Sequence, residues 1–127
     1  MNPNNYVTLE QAKKMKELGY PQDNTDCIWT IRMGIPVLYA RVELNWRDGN
    51  NKPAIDDGHG DPIAWFDEWY AAPNAQEIEL DDTKFGGKGD LIIIEHVPNS
   101  HTSKEKDFGQ SHHAQTRADA WIWEREK

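Results

Sequence analysis

Residues 6–21, YVTLEQAKKMKELGYP, contain a helix with both of its ends written into the sequence. Thr8 can accept a hydrogen bond from the first-turn backbone while Gln11, three residues on, reaches back to close a capping box. Val7 stands just before the cap, where a hydrophobic staple would sit. Leu9, Ala12, Met15 and Leu18 recur along one face, and Lys13, Lys14, Lys16 and Glu17 fill the other. Gly19 followed by Tyr20-Pro21 provides a left-handed stop. An amphipathic helix over Leu9 to Leu18, burying its apolar face, is therefore expected.

Downstream of this helix the period changes from helical to strand. Residues 27–33, CIWTIRM, alternate Ile28, Thr30 and Arg32 against Trp29, Ile31 and Met33, which predicts a strand from Cys27 to Met33. Gly34 interrupts it, and a second strand from Val37 to Trp46 follows, with Pro36 confined to a sheet edge or to the strand's first residues, so the pair can form a hairpin. Arg47 to Pro62 reads as a long exposed loop of Gly, Pro and Asp. A strand is expected again from Ile63 to Tyr70, and a short helix capped by Asn74 running to about Leu80. The uninterrupted apolar run Leu91 to Ile94 predicts a central strand buried on both faces. NSHTSKEKDFGQ reads as a polar connection, and from about Ser111 the chain has helix formers to its end. Together these elements predict an α+β fold: one domain over residues 1–127, with an antiparallel sheet of about four strands and the N- and C-terminal helices on one of its faces.

Composition narrows the function classes. The 127 residues carry 22 acidic against 14 basic side chains, a formal net charge of -8. That balance argues against a grip on nucleic-acid phosphates. Only 37% of residues are hydrophobic, yet six Trp, four Tyr and three Phe concentrate apolar area in few side chains, so aromatics should carry the packing. A single cysteine, Cys27, opens an apolar strand and reads as a buried, inert thiol, as expected of a protein from a reducing compartment. MNPNNYVTLE has no basic region followed by an apolar run, and no stretch is long enough to cross a bilayer, so the expected location is the cytoplasm, without membrane contact.

Three motifs bear on chemistry. DDGHGD places Asp56, Asp57, His59 and Asp61 within six positions, a set of hard oxygen ligands plus an imidazole that could hold a divalent cation. The spacing fits neither an EF-hand nor a zinc pair, and a Gly-Asp surface turn accounts for it without a metal. His112 and His113, with His101 and His96, could move protons near neutral pH, but as helix neighbours the adjacent pair should point to different faces. His101-Thr102-Ser103 resembles the His-x-Thr/Ser pairs of two-histidine phosphodiesterases, which need two copies where this chain has one. KFGGKGD lacks the Ser or Thr after its lysine and precedes a strand, which excludes a phosphate loop. No catalytic residue, metal ligand or cofactor is assigned on these grounds.

The opening YVTLEQAKKMKELGY, WYAAPNAQEIEL at 69–80 and RADAWIWEREK at 117–127 occur in the order found in small hypothetical proteins of bacteriophages and prophages, especially those of gut Bacteroides relatives, which this chain resembles. The resemblance covers those motifs and not the middle of the chain. It implies a mobile-element origin and a bacterial host cytoplasm, and it implies no activity. Trp121 and Trp123, two apart on one helix, cannot both face a core. Exposed aromatics on an acidic surface suit a protein partner. The expected function is that of a non-enzymatic accessory protein that binds a host protein, counter-defence being one such role, with Trp123, Trp69 and Tyr70 as contact residues. A small metal-assisted hydrolase built on DDGHGD and a structural virion component are the alternatives.

Overall fold

The structure, a computed structural model, describes residues 2–46, 52–80, 85, 89–96 and 101–126, with only the backbone described at 94–96 and 104. The chain divides into two compact units, Thr8–Pro73 and Met1–Val7 with Asn74–Lys127. The architecture is α+β, with every strand pair antiparallel.

The first unit opens with α1, Leu9–Glu17. The expected capping box is present: Gln11 N donates to Thr8 Oγ1 at 3.1 Å and Thr8 N to Gln11 Oε1 at 3.0 Å. At the other end Gly19 takes φ 96°, and Tyr20 N donates to Met15 O and Gly19 N to Lys16 O, the paired bonds of a Schellman stop. Ala12 and Met15 are buried, whereas Leu9 and Leu18 are only partly so. The remaining elements are β1 Cys27–Arg32, β2 Ile35–Ala40, β3 Ala54–Asp56, β4 Pro62–Trp65 and β5 Glu68–Ala71. One sheet has the order β2-β1-β5, and β3 and β4 form a separate pair. The expected hairpin is β1–β2, closed by Met33 and Gly34 at φ 52° and 80°, a two-residue turn whose twist suits paired strands.

Ile28, Leu44 and Phe66 form this unit's buried cluster, with Tyr39, Trp46, Ile55 and Trp69 packed on it. Arg41 binds the cluster's rim to the chain before β1. Its Nε donates to Thr25 O at 2.8 Å and its Nη2 to Gln22 O at 2.6 Å, while the guanidinium lies 5.0 Å from the Trp46 ring centroid. Trp46 and Trp69 meet edge to face at 5.2 Å. Aromatic packing thus does what the composition requires.

In the second unit β6 Asp90–His96 pairs with β7 Ser103–Gln110, and α2 Ala114–Glu126 packs against them. Ala114, Ala118, Ala120 and Trp121 make its buried face. Arg117 fixes the helix to the segment after Asn74 by donating from Nε and Nη2 to Ile78 O at 3.2 and 2.9 Å.

Several expectations are corrected. No sheet of about four strands forms among the described residues; the sheets have three, two and two strands, and α1 and α2 belong to different units. The second strand ends at Ala40 rather than Trp46, because Arg41–Glu43 form a 3-10 turn. Ile63 to Tyr70 is two strands of different sheets. The chain changes sheet at Phe66, which turns into the cluster, and at Asp67, whose backbone N–H goes to Ile31 O at 3.1 Å. The expected loop from Arg47 to Pro62 contains β3, too short at three residues to show a period; residues 47–51 of it lie outside the described residues. Asn74 and Glu77 form reciprocal cap bonds, but only one turn follows, since Ile78 is buried and its carbonyl is taken by Arg117. The Leu91–Ile94 run is in a two-stranded sheet, with Leu91 buried and Ile92 and Ile93 partly exposed. Its partner is the segment expected to be a polar connection.

Candidate functional site at the open edge of the β1–β2 hairpin

Among the described residues, the large apolar side chains that remain exposed are Met33 at 82%, Ile35 at 64%, Val37 at 38%, Val42 at 93% and Ile63 at 65%. Four of these five fall between residues 33 and 42, along β2 and its two ends. Ile35 and Val37 share a face with Tyr39, and on the neighbouring strand with Arg32, Thr30 and Ile28. The buried cluster covers the Ile28–Tyr39 end of that face and stops short of Ile35. The uncovered end is a shallow depression of about 250 Å³ lined by Arg32, Met33, Ile35 and Val37.

The backbone of this sheet can be followed hydrogen bond by hydrogen bond. The Cys27 and Ile31 carbonyls accept from Ala72 N and Asp67 N, on the β5 side, while the Asp26 carbonyl accepts from Arg41 N at the end of β2. Antiparallel strands alternate the direction of their backbone groups. Hence Ile28, Thr30 and Arg32 bond to Tyr39, Val37 and Ile35, and Pro36, Leu38 and Ala40 present their backbone outward. The other edge of the sheet is closed by side chains. Lys16 Nζ donates to Trp69 O at 3.1 Å, and Ala71 N donates to Gln22 Oε1 at 2.8 Å. The β2 edge has no strand beside it among the described residues. Pro36 protects it in part, since it puts no N–H outward.

The sequence-expected contact residues lie elsewhere. Trp69 and Tyr70 are neighbours on β5 and so point to opposite faces. Lys16 Nζ sits 5.3 Å from the Trp69 ring centroid and 5.0 Å from that of Tyr70. The Tyr70 hydroxyl donates to Glu68 Oε2 at 2.6 Å, and this bond to a carboxylate, with burial and the carboxylate's charge, pushes the phenol up to about 12. Trp123 is in the other unit, half-buried, with its ring 5.8 Å from that of Phe108.

The chemical motifs resolve as turns. Asp57 Oδ1 accepts from His59 N at 2.8 Å and Asp61 N at 3.2 Å, and Asp56 Oδ1 accepts from Gly58 N at 2.9 Å, so DDGHGD forms the connection between β3 and β4. Among the described residues no three His, Cys, Asp or Glu side chains are placed to hold a metal ion. His112 and His113 precede α2 rather than lying on it, so their rings come together at 4.2 Å instead of diverging. They border an open polar cleft of about 340 Å³ with Asn4, Asn5, Asn74 and Gln76. Cys27 is buried. His101 is exposed, and KFGGKGD lies largely outside the described residues.

Sequence reasoning missed Met33, Ile35 and Val37, although Pro36 carried the signal: proline in a strand marks an edge, and apolar residues beside it then have nothing to pack on. No helix among the described residues is long and apolar enough to cross a membrane. No family model, curated protein or solved structure matches the chain.

Proposed function

We propose that this chain is a binding module without a reaction of its own, a phage or prophage accessory protein that contacts a host protein through the β1–β2 hairpin. The observation that carries this reading is the concentration of exposed Met33, Ile35 and Val37 on an uncovered strand edge. Soluble domains rarely leave neighbouring apolar side chains and backbone hydrogen-bonding groups uncovered together unless something docks there. The formal charge of -8 favours a basic partner surface, such as one that otherwise holds nucleic acid. Counter-defence by competition for that surface is the role this chemistry fits.

The experiment is capture from host lysate on immobilised protein, followed by calorimetry with the captured partner. Ile35→Lys/Val37→Lys, both exposed positions, should keep the far-ultraviolet circular dichroism of the wild type and weaken the partner's binding by roughly thirtyfold if the hairpin holds a hot spot. A partner whose affinity ignores this double variant but is lost in Trp123→Ala would move the contact surface to α2.

A further inference from the structure

We infer that Met33 is a modification site: peroxides convert its thioether to the sulfoxide, and its oxidation state sets the apolar character of the patch at the tip of the β1–β2 hairpin. The inference rests on the reading of that hairpin as a contact surface and adds its regulation.

Access to solvent separates this sulfur from the others. Met33 is 82% exposed, whereas Met15, on the buried face of α1, is 1% exposed and Cys27, at the start of β1, is 2% exposed. Met1 lies outside the described residues. Among the described residues Met33 is therefore the one sulfur that a dissolved oxidant reaches.

The backbone at this position is ill suited to methionine. Met33 is the one non-glycine residue at positive φ among the described residues, at 52°, and it shares a two-residue turn with Gly34 at 80°. Positive φ at both turn positions is what Asn-Gly adopts at least cost, and a longer L side chain is strained there. The strain is held although the side chain gains no burial, so the turn itself does not account for the methionine. What the side chain does is line the depression with Arg32, Ile35 and Val37. A flexible, polarisable thioether beside an apolar stripe is an adaptable contact for a partner's side chains.

Oxidation changes that surface and spares the fold. A sulfur lone pair attacks one oxygen of hydrogen peroxide, the S–O bond forms as the O–O bond breaks, and the proton of the transferred oxygen passes to the departing hydroxide, which leaves as water. Sulfur loses two electrons and the peroxide gains them. The product is polar where the thioether was apolar. Because the side chain stands in solvent, the added oxygen displaces no packed neighbour, and the ladder from Cys27–Ala40 to Arg32–Ile35 keeps its register. A methionine sulfoxide reductase reverses the change when a dithiol supplies two electrons and two protons, becoming a disulfide as the oxygen leaves as water.

The test is treatment of the full chain with hydrogen peroxide, followed by peptide mass mapping, far-ultraviolet circular dichroism and elution from a hydrophobic-interaction column. Met33 should gain one oxygen at least about tenfold faster than Met15, with unchanged dichroism and earlier elution, and reductase with dithiothreitol should restore the original elution. Met33→Leu should elute late with or without peroxide, and Met33→Gln early without it. In Ile35→Lys/Val37→Lys, where the patch is already broken, oxidation should move the elution much less than in the wild type. Met15 oxidising as fast as Met33 in the folded chain overturns the inference, as does an equal shift in peroxide-treated Met33→Leu or in the oxidised double variant. A host partner captured through the hairpin should bind the oxidised chain about tenfold more weakly. A partner lost in Ile35→Lys/Val37→Lys that binds oxidised and reduced chains alike overturns the inference and leaves the proposed function standing. Selective, reversible oxidation with the expected elution shift in a chain that captures no host protein overturns that function and leaves the Met33 site standing.

Discussion

Lys16 Nζ, on α1, reaches across the edge of β5 to donate to the Trp69 carbonyl at 3.1 Å. The sheet's outer strand is thereby finished by a side chain instead of another strand, and the ammonium also sits over the Trp69 and Tyr70 rings. Lys16→Met keeps most of the aliphatic stem and removes the charge and the donor. It should cost about 1 kcal/mol, because Lys16 is exposed and water can replace part of what is lost. Urea denaturation measures this, and a variant as stable as wild type would show that the edge bond does not hold in solution.

Tyr70 ties the same strand to pH. Its hydroxyl donates a hydrogen bond to the Glu68 carboxylate, and ionising the phenol would lose that bond and set two negative charges together, so, with burial, its pKa rises from 10.0 to about 12. A pKa raised in the folded state means that the associated stability is complete below pH 10.0 and is lost as pH climbs toward about 12. Ultraviolet titration of the phenolate should therefore show Tyr70 ionising late, and Glu68→Gln should bring it back toward the ordinary value. A late tyrosine that persists in Glu68→Gln would mean that burial, not the carboxylate, raises it.

The parts of the fold legible in the sequence are those whose signals are local. Thr8, Gln11 and Gly19 announce α1 with groups within a turn of one another, and the Ile28/Trp29 alternation announces β1. Trp121 is buried and Trp123 half-exposed, as the spacing to Ala114 and Ala118 requires. What was not legible depends on distant groups. Nothing near Phe66 says that the chain changes sheets there, because the reason is the cluster formed with Ile28 and Leu44. The helix after Asn74 has a proper cap and still stops, since Arg117, far along the chain, takes the Ile78 carbonyl. The candidate surface follows the same logic: Ile35 and Val37 look like core residues until the sheet order puts β2 outermost.

Asp57 tests whether DDGHGD is a turn or a metal site. Its Oδ1 holds two backbone N–H groups across the β3–β4 connection, so Asp57→Ala should cost about 1 kcal/mol through the lost bonds, while Asp57→Asn, which keeps an acceptor, should cost less. Calorimetric titration of chelator-treated protein with calcium, magnesium, manganese and zinc should give no saturable heat at micromolar concentration. Saturable binding abolished by Asp57→Asn would return the metal-assisted hydrolase to consideration.

Trp121 and Trp123 stand about 200° apart around α2, and the structure gives them different work. Trp121 is 4% exposed, on the face with Ala114 and Ala118, with the Arg125 guanidinium 3.8 Å from its ring centroid. Truncating it empties a large buried volume, so Trp121→Ala should cost about 3 to 5 kcal/mol. Trp123 meets Phe108 edge to face and keeps part of its surface in water, so Trp123→Ala should cost about 1 kcal/mol. Urea denaturation of the two variants decides between them. If Trp123→Ala proves the more damaging, α2 is rotated about its axis, and Trp121 becomes the exposed indole to test against a captured partner.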